Sequence, residues 1–100
     1  MYMSSLGQRF VAELVGTFIF LGVIIHVVNK SEENAWIKVG LALSIAILLV
    51  GNVSGGHFNP AVSFMFLITN KINIAQFIVE FIAQIIGALC AIGLYYTIIT

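Results

Sequence analysis

The run Ser54-Gly55-Gly56-His57-Phe58-Asn59-Pro60-Ala61-Val62-Ser63 holds the residue types with the most chemical potential in this chain. Asparagine is a strong helix N-cap and proline is favoured at the first helical position, so a helix is predicted to open at Asn59-Pro60. Its free N–H groups and the positive end of its dipole would face whatever lies ahead of it. A positive end in a membrane disfavours cations and protons and leaves neutral solutes unaffected. The Asn59 amide would donate a hydrogen bond to a passing oxygen. Gly55, Gly56, His57 and Phe58 are expected to approach in extended conformation, with their carbonyls as a ladder of acceptors and the glycines permitting close approach. Pro60 and Ala61 would complete the lining. This chemistry replaces a hydration shell and breaks no covalent bond, so no catalytic residue, cofactor or metal ligand is expected and the chain is not read as an enzyme. The plainer reading, an N-capped helix after a turn, fits Asn-Pro-Ala alone better than it fits the whole decapeptide.

Glu13 is the second feature. A carboxylate inside an apolar run is costly and is a functional candidate by default. It could carry protons or accept the N–H groups of an irregular loop; the presence of such a loop favours the second role, and snorkelling to the interface is the bland alternative. Gln84 reads as an interhelical hydrogen-bond partner. Glu80, on the same helical face, would serve likewise or sit at headgroup level, with a transport role the lesser expectation. His57 is expected to orient the loop by hydrogen bonding, and His26 to be interfacial. Cys90 sits in an apolar run with no partner for an internal disulfide and reads as a small buried hydrophobe.

The elements that must position these residues follow from composition. The chain has 100 residues, 61% of them hydrophobic and 8% charged, with a mean hydropathy of +1.13. Soluble domains carry about 25% charged residues, so the lipid bilayer is the expected solvent. Zero net charge gives no electrostatic case for nucleic acid. Arg9 precedes the first apolar run, but no small-residue cleavage site closes it, so the run reads as an uncleaved span. Spans are predicted at 10–28, 36–50 and 74–99 of a single 1–100 domain, with Trp36 as an interfacial anchor. Between the last two, a glycine-rich loop at 51–58 and a helix at 60–69 are expected. About ten helical residues reach roughly 15 Å, half a membrane, so this helix dips in and returns. Three spans place the termini on opposite sides, with Arg9 and Lys71 on one side and Lys30 and Lys38 on the other. The balanced count leaves orientation barely fixed. Ala12/Gly16, Gly40/Ser44 and Ala83/Gly87/Ala91 have the spacing of close helix packing.

With these residues in place the chain resembles the aquaporin and glycerol-facilitator (major intrinsic protein) family. Residues 54–63 resemble its first signature loop, Ala12-Glu13-Leu14-Val15-Gly16-Thr17-Phe18 its first-helix motif, and Ala83-Gln84-Ile85-Ile86-Gly87-Ala88 its third-helix motif. The resemblance implies an all-α membrane protein: three transmembrane helices plus one re-entrant half-helix, half of the aquaporin-like inverted-repeat fold. It implies Asn59 as a pore-centre amide, Gly55 to Phe58 as the carbonyl ladder, Glu13 and Gln84 as braces of the loop, and Val39 at a selectivity position where water-selective members carry an aromatic. It implies tetramers of complete pores. The chain departs from the family in stopping after the third span, without the second Asn-Pro-Ala or the filter arginine. A fragment of a full channel, a half that pairs with an inverted copy, and an accessory or remnant protein all fit that length.

The expected function is passive conduction of water or small uncharged solutes such as glycerol, in a multi-pass protein of the cell (plasma) membrane. The rivals are a small dual-topology proton-coupled antiporter using Glu13, and a non-conducting accessory subunit.

Overall fold

A computed structural model describes residues 4–100. Four α-helices follow one another: α1 Leu6–Asn29, α2 Ala35–Ser54, α3 Pro60–Ile68 and α4 Ile74–Leu94, the last continued by a π-helical turn at Tyr95–Ile99. α1, α2 and the α4 run through Ile99 are long and apolar enough to cross a membrane, and α3, at 9 residues, is not.

Side-chain hydrogen bonds start and stop these helices where the sequence offers them. Ser5 and Gln8 form a reciprocal capping box at the start of α1, and Asn73 and Gln76 do the same for α4. The Asn59 side chain accepts from the Ala61 N–H at 2.8 Å, with Pro60 as the first helical residue of α3. α2 stops at Gly55, whose φ of +100° is left-handed and whose N–H returns to the Gly51 carbonyl at 2.7 Å.

α1 lies between α2 and α4, and the half-helix α3 packs against α4. The Ser4 hydroxyl donates to the Val53 carbonyl, and Arg9 reaches both Ser54 and Glu80. At the other end Asn29 bonds Tyr96. α2 therefore runs antiparallel to α1, and α4 parallel to it. The packing is close where glycine allows it. A Cβ on Gly87 would lie 2.7 Å from the Leu14 carbonyl oxygen, and one on Gly16 would enter the Phe58 ring at 1.9 Å.

The burial pattern is the reverse of a soluble domain's. Arg9, Glu13, Ser54, Ser63, Glu80 and Gln84 are buried, while Trp36, Leu48 and Ile98 are exposed. Polar groups inside and large apolar groups outside suit a chain whose solvent is hydrocarbon.

The elements differ from the sequence expectation in four places. α1 begins at Leu6, four residues before the expected 10, because Ser5 supplies a cap. α2 continues through Gly51-Asn52-Val53-Ser54, which the sequence marks as loop; the glycine that ends it is Gly55, the one with left-handed φ. The loop is thus confined to 55–59. It is also coiled where extended backbone was expected: φ is positive at Gly55, Gly56 (+69°) and Phe58 (+51°). Cys90 is exposed on the outer surface of α4, not buried.

Candidate functional site

The loop between α2 and α3 is held from behind by two buried carboxylates. Glu13, on α1, is fully buried. Its Oε1 accepts from the Phe58 N–H and the Gln84 amide, each at 2.8 Å, and its Oε2 from the Ser54 hydroxyl at 2.6 Å and the His57 N–H at 3.1 Å. Two consecutive backbone N–H groups of an irregular segment, which water would otherwise have to satisfy, end on one side chain. Glu80, on α4, is also fully buried. It accepts from Arg9 Nη1 at 2.7 Å, from the Ser63 hydroxyl at 2.8 Å and from His57 Nδ1 at 2.5 Å. The two halves of the network meet at Gln84 and Ser63: the Gln84 amide donates to both Glu13 and the Ser63 oxygen. Arg9 also donates to the Ser54 carbonyl at 2.9 Å. Each of the four α-helices therefore contributes at least one bond to the seat of a five-residue loop.

The other side of the loop is open. Among the described residues, none of the carbonyls of Gly55, Gly56, His57 and Phe58 accepts a hydrogen bond from within the chain. Asn59 is exposed, its Oδ1 committed to the Ala61 N–H and its amide nitrogen free. The side chains sort differently from the backbone. The Phe58 ring is buried against Gly16, and the His57 ring is buried and stacked on Phe66 at 4.6 Å. Two small cavities flank the loop. One of about 170 Å³ touches Asn59, Pro60, Phe58 and Gln84, and one of about 320 Å³ lies beside His57 and Gly55 on the N-terminal side.

Of the residues singled out by sequence, Gly55, Gly56, His57, Phe58, Asn59, Pro60 and Ala61 form one turn and the first residues of α3, with Glu13 and Gln84 behind it. Gln84 bonds Glu13 and Ser63 and does not itself reach the loop backbone. Val39, near the start of α2, is half-buried and lies at the far end of the molecule from the network. Arg9, Ser54, Ser63 and the double role of Glu80 were not drawn together by the sequence. Arg9 looks like a flanking charge, and its partner is 71 positions away.

Glu13, His57 and Glu80 offer ligand atoms within 4.8 Å of one another. Those carboxylate oxygens already receive N–H and O–H donors, so the cluster is a hydrogen-bond network as it stands. Among the described residues three buried polar atoms, Arg9 Nε, Thr17 Oγ1 and Gln84 Oε1, have no partner.

This architecture defines an integral, multi-pass helical membrane protein in which a half-helix starts from a braced, carbonyl-rich turn. Residues 2–100 match the profile of the family described as Major intrinsic protein, and the chain belongs to that family. It is 42% identical over 87 residues to a glycerol uptake facilitator protein-like 6 of Lactiplantibacillus plantarum, covering 84% of this chain and 40% of that protein. It is 39% identical to nodulin-26 of Glycine max and 38% identical to aquaporin-8 of Notomys alexis, covering 86% and 87% of this chain and 35% of each relative. The chain thus spans well under half the length of these relatives. No solved structure matches. The all-helical half-fold expected from the sequence is the fold observed.

Proposed function

We propose that the 55–61 turn forms one wall of a passive path for water or small uncharged solutes such as glycerol, across the cell membrane. The observation that carries this reading is the division of the loop's polar groups. Glu13 takes the N–H groups of His57 and Phe58, and among the described residues four successive carbonyls and the Asn59 amide have no partner. Such a row replaces a neutral solute's hydration shell a bond at a time, while the N-terminal end of α3 disfavours cations. Pro60 and Ala61 set that end in place, and Val39 is the residue proposed to shape the selectivity constriction.

One copy of this fold gives one wall. The opposite wall would come from an inverted half, whether further sequence of a longer chain or a second copy, and complete pores would assemble as tetramers. The names of the relatives, which include a glycerol uptake facilitator and an aquaporin, agree with a neutral solute. A proton-carrier role for Glu13 fits less well, because both of its oxygens are committed to four donors that seat the loop, and those bonds would have to be released at each cycle.

The test is flux into proteoliposomes holding the chain joined to the C-terminal part of the L. plantarum relative. Osmotic water flow or glycerol uptake that follows the solute gradient and ignores an imposed proton gradient supports the proposal. Flux that requires a proton gradient supports the antiporter instead, and a folded chimera without flux defeats the channel reading.

A further inference from the structure

The cavity of about 320 Å³ on the N-terminal side of the loop is bordered by the donor-bearing side chains of Arg9, Lys71 and Gln76, beside Ser54, Gly55 and His57. Arg9, 2% exposed, commits Nη1 to Glu80 and to the Ser54 carbonyl. Among the described residues its Nη2 makes no hydrogen bond, and it is not one of the fully enclosed orphan atoms, so it is the guanidinium nitrogen open to the cavity. Lys71, exposed in the α3–α4 link, makes no ion pair or side-chain hydrogen bond among the described residues. Its backbone is fixed by the Lys71 N–H bond to the Phe66 carbonyl at 2.8 Å. Gln76 gives its Oε1 to the Asn73 N–H, which leaves its amide nitrogen to donate. His57, 8% exposed, is held through Nδ1 by Glu80, and its Nε2 has no partner. Phe66 and Ile72 close the cavity with apolar surface. No carboxylate lines it.

Two permanent cations, one of them almost wholly buried, and an amide with a free donor border a space with room for an oxyanion and some water. The geometry points to a binding site for one small oxyanion of the phosphate class, held by Arg9 Nη2, Lys71 and Gln76 against the Gly55–His57 loop. The charges agree with a single ligand. Arg9 is already matched by Glu80, so of the two cations at the cavity Lys71 is the one without a counter-ion among the described residues. Guanidinium and ammonium donors to an oxyanion make short, charge-assisted bonds, stronger than those to a neutral hydroxyl. This selects an anion over a neutral solute. The inference does not depend on conduction. Because Lys71 lies in a link at the end of the spans, the phosphate group could be free in solution or belong to a lipid headgroup.

The experiment is a titration of the purified chain in uncharged micelles with inorganic phosphate, at constant ionic strength set by chloride, following backbone amide signals by NMR. Saturable shifts are expected at Gly55, His57 and Lys71. Lys71→Gln should weaken binding tenfold or more, Lys71→Arg should restore it, and Lys30→Gln at the opposite end should leave it unchanged. Lys71 is exposed and unpartnered, so its substitution spares the fold. A second arm compares phosphatidylcholine nanodiscs with and without phosphatidic acid. If a headgroup is the occupant, the same amides shift in the phosphatidate discs without added phosphate, and that outcome supports the site equally. The proposal is overturned if neither phosphate nor phosphatidate shifts these amides, if chloride alone does so as strongly, or if Lys71→Gln binds as well as the parent.

Discussion

Replacing Glu13 by glutamine changes one oxygen to an NH2 group and keeps the side chain's shape. In the native site four donors converge on two oxygens. The Ser54 hydroxyl can rotate to accept, and the Gln84 amide can flip to present its orphaned Oε1. The N–H groups of His57 and Phe58 can do neither. One of the two therefore faces the new NH2 in either orientation of the carboxamide. A buried unsatisfied donor costs about 1–3 kcal/mol. Glu13→Ala strands both amides, about 2–6 kcal/mol before any cavity term, against a typical total of about 5–15 kcal/mol. The assay is unfolding in mixed micelles combined with hydrogen exchange at His57 and Phe58. The glutamine variant should lose about 1–3 kcal/mol, with exchange at one of these two amides faster by about 5- to 150-fold. The alanine variant should lose more and expose both. If Glu13→Gln unfolds at the parental midpoint and neither amide exchanges faster, the carboxylate is not what holds the loop and the account of the site is wrong.

Other outcomes follow from the same geometry. Gly87→Ala and Gly16→Ala should each destabilise by about 1–3 kcal/mol through overpacking. Gly40→Ala, where nothing lies within 4 Å, should be neutral or stabilising by up to about 1 kcal/mol; unfolding midpoints of the three decide it. Arg9→Ala leaves Glu80 buried without its cation and should cost about 3–5 kcal/mol. The double variant Arg9→Ala/Glu80→Gln should recover part of that loss, and strict additivity would contradict the pairing. In the α1–α2 link, the Lys38 hydrogen bond holds the Glu32 carboxyl below its ordinary value of 4.5. A depressed carboxylate pKa means that this contact is complete above 4.5 and fades as the pH falls through the folded value. An NMR titration should find the Glu32 midpoint below 4.5 and shifted upward in Lys38→Gln.

The sequence made the half-helix legible because its signals are local. Asn59 and Pro60 are cap and first-turn residues whatever the tertiary context, and an apolar run of nine residues cannot span. Glu13 was legible for a different reason: a carboxylate in an apolar helix must find donors, and the only irregular backbone nearby was the loop. The end of α2 was not legible, since Gly51 and Asn52 are breakers by type, yet a helix continues until a left-handed residue turns the chain, here Gly55. Arg9 looked like a span-flanking charge, and Glu80 like an interhelical hydrogen-bond partner or a headgroup-level charge with no partner named, because their pairing is a contact between α1 and α4 across most of the chain. The small-residue pairs show the same limit. Ala12/Gly16 and Gly40/Ser44 have one spacing, but the first meets Phe58 and the second faces outward, with Ser44 bonding only the Gly40 carbonyl. Spacing marks a face; it does not say what the face meets.

The most direct test of the central claim is stopped-flow osmotic flux through the chimera described above, comparing the parent with Asn59→Asp. The account predicts flux well above empty vesicles in the parent. In the aspartate variant, which puts a charge at the start of α3 and removes the free amide, it predicts a fall toward background with helicity unchanged. Equal flux in the two proteins, or none from a folded parent, would contradict the claim that the Asn59 turn lines the path.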